Sequence, residues 1–222
     1  MRIPLFDPTD TNQPLKSENG NLVAPSGVVY PIINEIPRFI NYNDDGQQQT
    51  SNSFGYKWTK HQDWGIKPEH DNINLVWSIW KDFYGWNGPE DLKRLVEGKV
   101  VLDAGCGSGT SIHRYIDWPA LLVGADISTA IDACYRNFGD RSNLQLVQAD
   151  LTKLPFADKV FDVIWSNGVL HHTPDTFESL SKLTRHLKIG GQMIFYIYVK
   201  KAPIREFVDD HVRHEISSLP ED

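Results

Sequence analysis

The stretch VVLDAGCGSG, Val100 to Gly109, decides how this chain folds. A short apolar run, Lys99 to Asp103, reads as a buried strand. It feeds three glycines at alternate positions, Gly105, Gly107 and Gly109. Glycines in that spacing let the backbone turn sharply and approach a ligand without Cβ clashes. A helix expected over Gly109 to Ile116 would aim its first N–H groups at the same space. Nicotinamide and flavin folds use related turns, but their spacing is GxGxxG, whereas this one is GxGxG. Asp103, two residues before the first glycine, would repel a pyrophosphate and suits a ligand that carries an ammonium group.

Downstream of that turn, strand and helix patterns alternate. Ala120 to Ala125, Leu144 to Gln148, Val160 to Ser166 and Gln192 to Val199 are strand-like. Ser128 to Phe138 and Asp175 to Leu187 suit helices, with Gly190-Gly191 expected to close the second. Such alternation predicts a doubly wound, Rossmann-like α/β fold with a parallel sheet covered on both faces. The second strand then ends on Asp126, where such folds place a carboxylate for ribose hydroxyls. The third ends in Asp150 and Leu151, a polar group for an adenine amine and an apolar one for its ring. The fourth ends in Asn167. Four successive strands thus bring polar groups to one edge of the sheet.

Upstream, three regions succeed one another. Residues 1–45 are rich in Pro, Asn and Asp, with β-like pieces at Asn21 to Val23 and Gly27 to Ile33, and read as a small β-rich arm. A polar stretch from Asn41 to Ser53 leads into residues 46–91, a linker and an aromatic-rich helical lid. The lid region holds five of the seven tryptophans: Trp58, Trp64, Trp77, Trp80 and Trp86. Asp71 is its candidate helix N-cap, and Ile73, Trp77, Trp80 and Tyr84 fall at helical spacing. That helix either packs on the main domain or covers a ligand. Residues 92–222 form the ligand-binding domain.

VLDAGCGSG, GADIS, ADLTKLPFADKVFDVIWSNGVLHH and LKIGG, as an ordered set over about Lys99 to Val199, resemble the class I S-adenosylmethionine-dependent methyltransferases, above all those acting on small molecules. The resemblance implies S-adenosylmethionine as cofactor. It implies that Asp103, Gly105 and Gly107 lie near its methionine part, with Cys106 between them also binding the cofactor. It further implies that Asp126 and Ile127 meet the ribose, that Asp150 and Leu151 flank the adenine, and that Asn167 lines the site. Tyr56 and Trp58, in SFGYKW, are the lid residues expected to meet the cofactor. Ile189 departs from the family, which often has proline before Gly-Gly. Tyr30 to Ile40 also resembles the tail of a zinc-ribbon-like module that precedes some methyltransferases. The cysteines for zinc are absent, so no metal site is expected.

Methyl transfer needs no metal and no covalent residue; a base helps only where the acceptor is protonated. His171 and His172, just past the fourth strand, are the candidate catalytic residues, with a structural role as the alternative. The resembling fold has seven strands and five are visible here. Ile204, Phe207, Val208, Val212 and Ile216 suggest a final helix instead. An exposed fifth strand would offer a pairing edge for a second copy.

Composition bounds the partners. Among 222 residues the net charge is −7, which disfavours broad attraction to nucleic acid. No apolar run of about 18 residues occurs, and the start MRIPLFDPTD lacks a basic segment followed by an apolar one. A cytoplasmic protein without membrane partners is therefore expected. Two cysteines, Cys106 and Cys134, give no disulfide framework. The leading expectation is methylation of a small-molecule acceptor. Methylation of RNA and a non-catalytic, cofactor-binding scaffold are the alternatives.

Overall fold

The computed structural model describes residues 2–40, 51–52, 55–58, 60–67, 73–198 and 211. Its strands are β1 (Phe6–Asp7), β2 (Asp10–Pro14), β3 (Lys16–Glu18), β4 (Asn21–Val23), β5 (Val29–Ile33), β6 (Ile36–Phe39), β7 (Val100–Ala104), β8 (Leu121–Asp126), β9 (Leu144–Ala149), β10 (Phe161–Asn167) and β11 (Leu187–Tyr196). The α-helices with both ends among the described residues are α1 (Ile73–Tyr84), α2 (Pro89–Val96), α3 (Ala130–Phe138) and α4 (Thr176–Arg185).

Nine strands form one sheet in the order β11-β10-β7-β8-β9-β6-β5-β4-β3. The five from β11 to β9 are parallel. Their near-continuous apolar sequences suit strands covered on both faces. Successive side chains point to opposite faces, and the core divides accordingly. Val101, Leu122, Leu146, Val163 and Trp165 join one layer with Trp80 of α1, Leu92 of α2 and Ile131 of α3. Leu102, Val123, Val147 and Ile164 join the other with Leu183 of α4. Trp80 is the hub of the first layer, its ring edge-on to Trp77, Trp86 and Trp165 at 5.1–6.0 Å.

The arm is not set apart from this sheet. β6 lies parallel to β9, with Arg38 opposite Gln148 and Phe39 opposite Ala149. β5, β4 and β3 then extend the sheet by antiparallel pairing. Tyr30 packs its ring 4.6 Å from Phe39. Gln145 of β9 holds the chain before β1, accepting from the Ile3 N–H at 2.8 Å and donating to its carbonyl at 3.1 Å.

Two local expectations are corrected. Gly109 to Ile116 is not an α-helix; it contains a single 3-10 turn at Ile112–Arg114. Helix nucleation is costly, and here the side chains bond elsewhere. Thr110 Oγ1 donates to the Trp64 carbonyl, Arg114 Nη2 to the Gly65 carbonyl, and Tyr115 turns inward to Asp103. Gly190-Gly191 does not close the helix of Asp175 to Leu187. α4 ends at Arg185, and the two glycines lie within β11, where Gly190 takes φ of +78° beside a register shift between Phe161 and Val163. Asp175 is the N-cap of α4; its carboxylate accepts from the Glu178 N–H at 2.9 Å.

α2 had no counterpart in the sequence reading. Pro89 opens it, its fixed φ suiting a first helical turn. The linker over 41–50, the candidate cap Asp71 and the C-terminal helix through Ile204, Phe207, Val208, Val212 and Ile216 lie outside the described residues. Among the described residues, no strand pairs with the outer edge of β11, and no helix is long and apolar enough to cross a membrane.

Candidate cofactor site

β7 is flanked by β8 on one side and β10 on the other, so the strand order reverses at its carboxyl end. Ligands in doubly wound folds bind in the crevice at such a point. A pocket of about 280 Å³ opens there, walled by the glycine turn, the ends of β8, β9 and β10, and Trp58.

The turn is pinned from below. The N–H groups of Gly105 and Cys106 both donate to the Ala125 carbonyl, at 2.7 and 3.1 Å. Gly105 has φ of +89°, and a Cβ there would lie 2.4 Å from both methyl carbons of Val169. Only glycine lets the turn after β7 and the loop after β10 approach so closely. A Cβ on Gly107 would meet the Trp58 indole at 3.5 Å. Cys106 lines the pocket, but burial pushes its thiol well above the usual range, so it is not a thiolate nucleophile.

Asp126 organises the β8 side. Its Oδ2 accepts from the Gly107 N–H at 2.8 Å, and its Oδ1 accepts from the Ser128 N–H and Oγ at 2.8 and 2.7 Å. A carboxylate offers about four acceptor positions, so capacity remains for a ligand hydroxyl. Burial raises its pKa against those bonds, and a further donor would favour the charged form. At the end of β9, Asp150 Oδ1 takes both the N–H and the hydroxyl of Thr152, at 2.8 and 2.9 Å. Its Oδ2 has no hydrogen bond among the described residues. Ile127 and Leu151 supply apolar wall beside these two carboxylates.

Asn167, at the end of β10, also lines the pocket. Tyr84 of α1 donates its hydroxyl to Asn167 Oδ1 at 3.0 Å. Burial raises the Tyr84 pKa and keeps it a donor, so the amide nitrogen of Asn167 is left for a ligand. The aromatic periodicity of α1 indicated packing; nothing in it indicated this partner. Ser108, Thr110 and Ser111 also line the pocket and were missed. Their signal was the run of hydroxyl residues that continues the glycine turn.

Asp103 does not reach the pocket wall. It is buried beneath the turn, and its Oδ2 accepts from the Tyr115 hydroxyl at 2.7 Å. Burial pushes its pKa to about 7, with the Tyr115 bond opposing and the charge of Asp126 assisting. Trp58 lines the pocket, whereas Tyr56, half exposed, does not, and its hydroxyl accepts from Lys60 Nζ at 3.3 Å. The segment that carries them is strapped to α3. Asn137 Nδ2 donates to the carbonyls of both Gln62 and Ser108, and Arg136 Nε donates to Gln62 Oε1.

The two histidines divide. His172 lines the pocket; His171 does not. The His171 ring lies 4.0 Å from the rings of both His172 and Tyr198, and its buried Nε2 has no hydrogen bond. Burial, then the neighbouring His172, lower its pKa to about 4, so it is neutral near pH 7.

A doubly wound sheet with a GxGxG turn and acidic strand ends defines a nucleoside-binding fold of the methyltransferase type. Residues 102–195 match the family model described as "Methyltransferase domain". Over those residues, under half of its length, the chain is similar to S-adenosylmethionine-dependent methyltransferases. It is 31% identical over 134 residues to a tRNA U34 carboxymethyltransferase of Nautilia profundicola, covering 59% of this chain and 44% of that protein. It is 28% identical over 132 residues to a demethylmenaquinone methyltransferase of Thermobifida fusca, covering 58% and 56%. The matches thus span about half the length of these curated relatives. Among solved structures, the [4+2]-cyclase SpnF superposes with a TM-score of 0.54 at 19% identity, covering 71% of this chain and 62% of that one. That likeness concerns the fold alone.

The residues present fit the family's cofactor. Gly105 and Gly107 present no side chain to the pocket, Asp126 and Asp150 retain acceptor capacity, and Leu151 gives an adenine ring an apolar surface.

Proposed function

We propose that this chain transfers a methyl group from S-adenosylmethionine to a small-molecule acceptor. One observation carries the reading: Asp126, Asp150 and Asn167, at the ends of three different strands, converge with the glycine turn on one pocket. When bound, the cofactor supplies a sulfonium-activated methyl group. The chain supplies alignment and environment. In this reading Asp126 holds the ribose hydroxyls, Asp150 Oδ2 receives the adenine amine, and Leu151 packs on the ring. The Asn167 amide faces the methionine end, with the carboxyl of Asp103 buried beneath the turn behind it. His172 stands on the acceptor side and can take a proton there. His171, half-buried and neutral, orients the loop.

Trp58 covers the glycine turn and offers its ring to the cofactor. Trp58→Ala is expected to weaken binding of S-adenosylhomocysteine about fivefold, the scale of one aromatic contact with a ligand. Tyr56→Ala, whose side chain does not line the pocket, should leave binding unchanged. Fluorescence or calorimetric titration of both variants checks this.

Net charge and the aromatic surface beside His172 support a small acceptor. Phe83 stacks on Tyr196 at 4.1 Å, and Tyr198 lies against His171. An RNA acceptor is the second reading, favoured by the likeness to a tRNA-modifying enzyme. Transfer of label from methyl-labelled cofactor, with a panel of phenols, quinols, amines and carboxylic acids in parallel with bulk tRNA, separates the two. Label in a small molecule supports the proposal; label in tRNA alone overturns it.

A further inference from the structure

We propose that Arg38, in the N-terminal arm, is a positioning residue for the ribose side of the pocket. The proposal rests on the cofactor reading above. Three neighbouring strands carry it in one row. Gln148 of β9 lies opposite Asp126 of β8 on one side and opposite Arg38 of β6 on the other. The hydrogen bonds follow that row. Arg38 Nη1 donates to Gln148 Oε1 at 3.0 Å, and Gln148 Nε2 donates to the Ile127 carbonyl at 3.0 Å.

Ile127 lines the pocket and joins Asp126 to Ser128, the residue whose N–H and hydroxyl hold Asp126 Oδ1. The second guanidinium nitrogen grips the same turn from its far side. Arg38 Nη2 donates to Asp132 Oδ1 at 2.7 Å, in the first turn of α3, and to the Ile33 carbonyl at 3.0 Å. Arg38 therefore fixes the start of α3 and the end of β9 at once, and the turn at residues 126–129 lies between them.

Packing alone does not call for this residue. Arg38 is 8% exposed, and burying a guanidinium costs desolvation that an apolar side chain would not incur. An apolar residue would seal β6 against β9 equally well. What it would not do is fix Gln148 and Asp132 in one geometry, which the planar guanidinium does. Asn34 also reaches Asp132, at 3.0 Å, but lies off the row.

The test is calorimetric binding of S-adenosylhomocysteine and its 2′-deoxy analogue to the wild-type chain, Arg38→Met, Gln148→Met and Asn34→Ala. Wild type should prefer the parent ligand about tenfold, as expected for one hydrogen bond to a charged group. Arg38→Met should bind the parent about tenfold more weakly and the deoxy analogue nearly as well as wild type does, so that the preference disappears. Gln148→Met, which cuts the row but spares the Arg38–Asp132 pair, should do the same and serves if Arg38→Met does not fold. Asn34→Ala should keep the preference. Equal weakening for both ligands, the mark of a merely structural role, overturns the proposal, as does an unchanged preference. A folded wild-type chain that binds neither ligand overturns the cofactor reading itself, and this proposal with it.

Discussion

Asp103→Asn is expected to stabilise the folded chain above pH 7 while weakening its hold on the cofactor. The carboxyl is buried, and its pKa rises from 3.8 to about 7. Between those values the folded state binds a proton that the unfolded state has released, so this group makes stability fall as pH rises. The loss is absent below the unfolded pKa and complete above about 7. A shift of that size corresponds to on the order of 4 kcal/mol. Asparagine keeps an acceptor for the Tyr115 hydroxyl and has nothing to ionise.

The difference in unfolding free energy between variant and wild type should therefore grow from near zero at about pH 4 to a plateau above about pH 7. The difference is the quantity to follow, because His171 runs the other way. Its folded pKa is lowered to about 4, so its contribution rises with pH up to the unfolded value. Urea unfolding at several pH values gives the curve; a flat difference would refute the assignment. The burial is costly unless the α-ammonium group of a ligand draws on it. Binding of S-adenosylhomocysteine to wild type should therefore strengthen as pH rises towards 7 and Asp103 ionises. That pH dependence should be absent from the variant.

Asp126→Ala should weaken cofactor binding about 100-fold, close to the upper end expected for losing hydrogen bonds to a charged acceptor. Two effects add. The ribose loses its acceptor, and the Gly107 N–H, the Ser128 N–H and the Ser128 hydroxyl lose the atoms that hold the two loops together. Asp126→Asn retains one oxygen for Ser128 and should cost about tenfold. Calorimetry, with thermal melting to verify folding, separates lost contacts from lost structure. Full affinity in Asp126→Ala would mean that the ribose lies elsewhere.

The parallel sheet was legible because each of its strands is a short apolar run ending in a polar residue, a local pattern. Asp126, Asp150 and Asn167 reach the pocket because strand ends in this fold share one edge. Tertiary choices were not legible. Gly190-Gly191 is as apt for a bulged strand as for a helix end, and the register with β10 decides between them. Asp103 has the sequence position of a ligand contact, yet Tyr115, 12 residues on, takes its carboxylate. His171 and His172 are adjacent and alike in sequence; the backbone turn at Leu170–His172 brings one to the pocket and buries the other's Nε2. The role of Arg38 needed a pairing partner 110 residues away.

The most direct measurement of the central claim is calorimetric titration of the wild-type chain with S-adenosylmethionine. Saturable binding at one site per chain, competed by S-adenosylhomocysteine, is the expected result. A chain that is folded by circular dichroism and releases no heat on titration would contradict it.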